Sequence, residues 1–176
     1  MTTPLQRFEG RKEFHAALFA MLTTLQNNPA DENGLPRCET LMLIDKDFIN
    51  WPLGDKTFCE LLEQFLRQFS YRRLELLAHD FGHLEKQLPR FHALLRLFAH
   101  AIQCRHTSEE YRQLPDRYLI TNAGHLVRIT HPQYLRGETL YPSNIDDLKA
   151  NQVWLSRFRQ LYDAAEPIRL GLPVFD

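Results

Sequence analysis

Arg105, Arg117 and Arg128 are the side chains best suited to chemistry in this chain. A guanidinium is planar, always charged, and carries a fork of N–H donors that matches a carboxylate or phosphate. Arg105 lies on a predicted strand, near the end where α/β sheets gather their ligands. Arg117 and Arg128 flank a tight turn predicted at Asn122-Ala123-Gly124. If the three converge they build an anion pocket. If they diverge they are solvated or ion-paired strand residues.

A second constellation is Asp45, Asp47 and His100. Asp45 and Asp47 follow the apolar run Leu41–Ile44, and alternation places both on one face of a strand. Such a pair could do acid–base work or bind a divalent ion, and with His100 would make a non-standard hydrolase site. Asp is also a common turn former, so capping the following turn is the competing role. His100 reads as a core histidine in an apolar helix.

No metal and no cofactor is expected. Among the 8 histidines, His79 and His83 are four apart, but they fall at a strand end and in a turn, and there is no HExxH. Cys38, Cys59 and Cys104 form no CxxC and read as free thiols of a reducing compartment. Cys104 beside Arg105 suits a buried small hydrophobe better than an activated thiol.

The 176 residues fit one domain, 1–176, with 44% hydrophobic residues to fill a core. The net charge of -1 argues against a broad basic field for duplex nucleic acid, although a local basic pocket stays open. Of 21 basic residues 16 are Arg, which suits fixed contacts to phosphate or carboxylate and equally suits a codon bias. No run approaches the roughly 20 apolar residues of a membrane span. The polar N-terminus lacks a signal-type segment, so a cytoplasmic protein with no membrane partner is expected.

Periodicity predicts a first helix over 8–27, with Phe14, Leu18, Met21, Leu22 and Leu25 on one stripe. A mobile loop, 27–36, follows, so residues 1–38 are an N-terminal helix and loop. Leu41–Ile44 predicts a buried strand, 55–68 a helix capped by Asp55, and Arg73–Asp80 a second, parallel strand. A broken third helix begins at Phe81 and resumes after Pro89, carrying through His100 to Ile102. Gln103–His106 is a short strand. Leu114–Ile129 forms two strands about the turn, Ile129–Ser143 reads as irregular, and a last helix spans about 144–163, capped by Ser143 or Asn144. The fold class is therefore α/β, a mixed sheet flanked by helices.

This order resembles one half of a phospholipase-D-like fold. Leu43-Ile-Asp-Lys-Asp47, Trp51-Pro-Leu-Gly54, Pro89-Arg-Phe91, His100-Ala-Ile-Gln-Cys-Arg105 and Gly171-Leu-Pro173 resemble a family of uncharacterised bacterial domains with that fold, some fused to acetyltransferases. Active phospholipase-D-like enzymes carry His-x-Lys-x4-Asp, whose His attacks phosphorus. In the ungapped register Pro115 takes the His position, Arg117 the Lys position and Asn122 the Asp position. The resemblance thus implies a catalytically degenerate module that binds an anionic, phosphate-bearing ligand or a protein partner through Arg105, Arg117, Asn122 and Arg128. It also implies a homodimer, because single-motif members build their site from two halves. The hydrolase using Asp45, Asp47 and His100 is one alternative. A nucleic-acid-binding module is the other, disfavoured by charge.

Overall fold

The computed structural model describes residues 6–26, 35–86 and 88–170. Its elements are β1 (Gln6–Phe8), α1 (Arg11–Gln26), β2 (Thr40–Asp45), α2 (Lys56–Gln68), β3 (Arg73–Ala78), α3 (Gly82–Lys86), α4 (Pro89–Leu97), β4 (Ile102–His106), β5 (Tyr118–Thr121), β6 (Leu126–His131), β7 (Arg136–Leu140), α5 (Ile145–Asp163) and β8 (Glu166–Ile168). Among the described residues, eight strands join one sheet in the order β1-β7-β6-β5-β2-β3-β4-β8. β2, β3 and β4 run parallel, and the other pairs are antiparallel. The predicted α/β class, with a mixed sheet and flanking helices, is the observed one.

The sheet is buried on both faces, which is why β2 carries the unbroken apolar run Leu41–Ile44 and β3 is apolar over Leu74–Ala78 except at Glu75. On one face Leu41, Leu43, Leu74, Leu76 and Cys104 form a core with α1, α2 and α4. The stripe of α1 is fully enclosed at Phe14, Leu18, Met21, Leu22 and Leu25, each stabilising by about 1.5–3 kcal/mol relative to exposure. On the other face Met42, Ile44, Leu77, Tyr118 and Ile120 pack under Phe158, Leu161 and Tyr162 of α5.

The helix starts follow local chemistry. Asp55 caps α2 by accepting the Phe58 N–H at 3.0 Å. Asn144 caps α5 by accepting the Asp147 N–H at 2.9 Å, and Asp147 in turn accepts from Ser143. Pro89 occupies the first turn of α4.

Four expectations are corrected. Ile129–Ser143 is not irregular: β6 continues to His131 and β7 occupies Arg136–Leu140. β1 and β8 were not predicted; both are three-residue edge strands recruited by backbone pairing to β7 and β4. The third helix ends at Leu97, so His100 lies in a turn and is exposed rather than a core residue. The first helix begins at Arg11, three residues later than its stripe suggested. The loop predicted over 27–36 falls mostly, at 27–34, outside the described residues, as does the tail segment from Gly171.

Candidate functional site

The β5–β6 hairpin forms as its sequence predicts. Gly124 supplies the left-handed φ of 88° that the turn requires. Tyr118 pairs with Arg128 and Leu119 with Val127. At the open end of this hairpin, where β5 begins, lies a cavity of about 390 Å³. Pro115, Asp116, Arg117, Tyr118, Arg128 and Ile129 line it, with Trp154 and Arg157 of α5 across from them. Two of the three strand arginines, Arg117 and Arg128, therefore meet there, joined by Arg157.

The three guanidinium groups are held differently. Arg157 makes a two-pronged pair with Asp116, Nε to Oδ2 and a second N–H to Oδ1 at 2.8 Å. That hydrogen bonding, opposed in part by burial, pushes the Arg157 guanidinium further above its already high range. Arg128 donates to Glu138 at 2.7 Å and lies over the Trp154 ring, 4.5 Å from its centroid. Both are already committed.

Arg117 is not. Its Nε stands 3.7 Å from Asp45 Oδ1, an attractive charge contact but no hydrogen bond. Among the described residues its guanidinium makes no hydrogen bond, and its side chain keeps 20% of its surface exposed. A five-donor fork with its donors unspent is the arrangement that receives an anion.

Behind Arg117, Asp45 ends β2 and is 2% exposed. Its Oδ2 accepts the Phe48 N–H at 2.8 Å and the Asp47 N–H at 3.2 Å. These bonds hold Phe48 in the left-handed region at φ 61°, a strained conformation for a bulky residue. The fully buried Phe48 ring packs edge-on against Trp51, which over-determines the turn. Oδ1 of Asp45 is buried with no hydrogen-bond partner. Burial pushes this carboxyl above its usual range, while Arg117, the turn amides and the Trp51 indole pull it back.

Other candidates lie elsewhere. Arg105 shares a cross-strand row with Leu77, Ile44, Tyr118 and Arg128. Four strand spacings separate it from Arg128, about 19 Å. It donates to the Tyr162 carbonyl at 2.8 Å and stacks on that ring at the far side of α5. Asn122 sits at the other end of β5. Its Oδ1 accepts the amides of Glu39 and Thr40 and its Nδ2 donates to the Arg37 carbonyl, so its amide ties down the entry to β2. Asp47 accepts the Ile49 N–H and shapes the turn after β2.

Asp45 and His100 are not brought together. Asp45 is in register with Ala78, and Ala78 with His106, at the C-terminal ends of the parallel strands. His100 precedes β4 at the opposite end, about 15 Å away along the strand. Cys104 is buried and its thiol is pushed up to about 12 by desolvation, so it behaves as a core residue. No cluster of His, Cys, Asp or Glu that could hold a metal exists among the described residues.

Sequence reasoning missed Arg157, Asp116 and Trp154. Only a pairing of α5 against the start of β5 could have flagged them, and periodicity gives α5 a buried stripe without saying which strand end it reaches.

Comparison with known proteins is consistent with this architecture. The model of a family described as a domain of unknown function, DUF7931, matches residues 38–169. No curated protein gives a significant match. The structure is similar to that of Nuc from Salmonella typhimurium, a phospholipase D family member, with a TM-score of 0.53 at 10% identity over 94% of this chain and 98% of that one. It is also similar to TrmBL2, an archaeal chromatin protein described as showing a novel mode of DNA binding, with a TM-score of 0.55 at 8% identity over 93% of this chain. This chain spans 54% of the length of that one. The fold is therefore phospholipase-D-like. Among the described residues, no helix is long and apolar enough to cross a membrane.

Proposed function

We propose an anion-binding function without catalysis for this chain, which belongs to the DUF7931 family. The ligand's negative group sits in the cavity between the β5–β6 hairpin and α5, and Arg117 receives it. The observation that carries this reading is the unspent Arg117 fork in a cavity whose other two arginines are already paired.

Arg117 and Pro115 both line that cavity, in support of the register that gives Arg117 the lysine position of a phosphodiesterase motif and Pro115 the histidine position. Proline has no nucleophilic atom, so no covalent phospho-enzyme can form at that position. What the remaining groups can do is bind and orient. Pro115, Ile129, Pro132 and Trp154 add an apolar wall, so the ligand carries an apolar group beside its anion. Arg105 and Asn122, spent elsewhere, are left out of the binding set. A hydrolase built on Asp45 and His100 has no support, since no single substrate atom can touch both.

The likeness to a DNA-binding chromatin protein favours a second reading, nucleic-acid binding. Against it stand the net charge of -1 and the carboxylates hydrogen-bonded to Arg128 and Arg157, which leave a single unspent guanidinium in the cavity rather than a basic stripe.

The test is an NMR titration of the labelled protein with dimethyl phosphate. Saturable shifts at Tyr118, Arg128 and Trp154 that vanish in Arg117→Ala are the expected result. Shifts that persist in Arg117→Ala would refute the assignment. Steeply salt-dependent binding of DNA with no cavity shifts would favour the second reading.

A further inference from the structure

We propose that Asp45 holds the ligand's electrostatic place in the free protein, and that an anion taking Arg117 displaces it with uptake of one proton by the Asp45 carboxylate. This rests on the reading that the cavity binds an anion at Arg117.

Two observations carry it. Asp45 is a buried carboxylate whose two oxygens have separate tasks: Oδ2 is fixed by the turn amides, and Oδ1 faces Arg117 with no hydrogen bond of its own. The 3.7 Å contact is therefore an ion pair that a better-placed anion can outcompete without breaking a hydrogen bond. Once the guanidinium fork turns to a ligand, the fold holds two negative charges beside one cation, and one of them is 2% exposed. A buried carboxylate in that position is stabilised by protonation.

The surroundings leave Asp45 as the group that responds. Arg117 faces it from the start of β5, and Asp47 and Lys46 flank it in its own turn, with Lys46 exposed. The Trp51 indole N–H, a buried donor whose geometry completes no hydrogen bond, faces it from the segment before α2 and neither carries charge nor titrates. On the β3 and β4 side the registered residues are Ala78 and then His106. His79 beside them has both ring nitrogens engaged, to Thr107 Oγ1 and the Leu114 carbonyl, and His106 contacts Arg112. Asp116, next to Arg117, is locked to Arg157. Burial already raises the Asp45 carboxyl ahead of every other influence on it.

The balance is simple. One anion and one solvent proton enter, the proton goes to Asp45, no covalent bond other than that O–H forms, and the net charge of the site is unchanged. Affinity is then greatest at low pH and weakens by about tenfold per pH unit between the Asp45 midpoints of the free and bound states.

The experiment follows the Asp45 carboxyl carbon of the wild-type protein by NMR, with and without saturating dimethyl phosphate, whose single charge does not titrate over about pH 4 to 8. The expected result is a higher Asp45 midpoint in the complex and a matching pH-dependent dissociation constant. Asp45→Asn, which keeps an oxygen for the turn amides, is expected to bind with no pH dependence. Wild-type affinity that is flat with pH, together with loss of binding in Arg117→Ala, would overturn the coupling and leave the binding site standing. No saturable binding at any pH would overturn both.

Discussion

Arg117 and Asp45 face one another where β5 meets β2, their closest atoms 3.7 Å apart, near enough to attract and too far to share a proton. All the other cavity cations are tied to carboxylates by direct hydrogen bonds. This one loose pair, set between a buried turn and a solvent-reaching cavity, separates a binding site from a set of structural salt bridges.

The pair has a consequence for stability. The Asp45 carboxyl is raised in the folded state above its usual 3.8, chiefly by burial. The folded protein therefore holds that proton more tightly than the unfolded chain. The contribution is fully present below about 3.8 and is lost as pH rises through the raised folded value. Urea midpoints of wild type and Asp45→Asn across that range are expected to diverge in favour of the variant as pH rises. A difference that is constant, or that shrinks with rising pH, would contradict the burial account.

The Arg157–Asp116 pair predicts an asymmetry. Asp116 keeps 3% of its side-chain surface and Arg157 keeps 42%. Arg157→Ala strands a buried carboxylate, at about 2–4 kcal/mol, whereas Asp116→Ala frees a guanidinium that water can solvate, at about 1–2 kcal/mol. Chemical denaturation of the two variants measures the difference, and the reverse order would show that α5 is not anchored there through Asp116.

Gly137 predicts a backbone clash. A Cβ there would lie 2.0 Å from the Arg128 carbonyl oxygen and 2.5 Å from the Phe8 ring, in the middle of the β1–β7–β6 pairing. Gly137→Ala is expected to cost about 3 kcal/mol, at the upper end of overpacking, because backbone cannot move aside as a side chain can. Thermal denaturation checks this, and a loss under about 0.5 kcal/mol would mean that β7 is not held against β6 as described.

The loss of the nucleophile position predicts silence. Wild-type protein is expected to release no nitrophenol from bis(p-nitrophenyl) phosphate above the buffer rate, with or without divalent metal. Turnover that disappears in Arg117→Ala would place chemistry in the cavity and end the non-catalytic reading.

Much of the fold was legible because the central strands announce themselves. Leu41–Ile44 is apolar without interruption, and Leu74–Ala78 is broken only by Glu75, a buried carboxylate paired with Arg159 of α5, as suits strands covered on both faces. Gly124 marked the hairpin turn by its conformational demand. The edge strands carried no such mark: Gln6-Arg7-Phe8 and Glu166-Pro167-Ile168 become strands through the backbone of β7 and β4. His100 was misplaced because Phe98 and Ile102 are four apart, imitating a helix, while Ile102 is in fact the first residue of β4. At the site, Arg117 and Arg128 were legible from the hairpin. Arg157 was not, since an arginine on the polar side of an amphipathic helix looks like any solvated one until the helix is docked. Arg105 was misjudged by strand spacing: it lies on the same row as Arg128 but four strands away.

The central claim is that Arg117 receives an anion in the cavity between β5, β6 and α5. Selenate soaked into crystals of the protein, located by its anomalous signal, tests it most directly. The account predicts a selenate within hydrogen-bonding distance of the Arg117 guanidinium, absent from Arg117→Ala crystals treated identically. Selenate bound elsewhere, with the Arg117–Asp45 contact unchanged and the cavity filled by water alone, would contradict it.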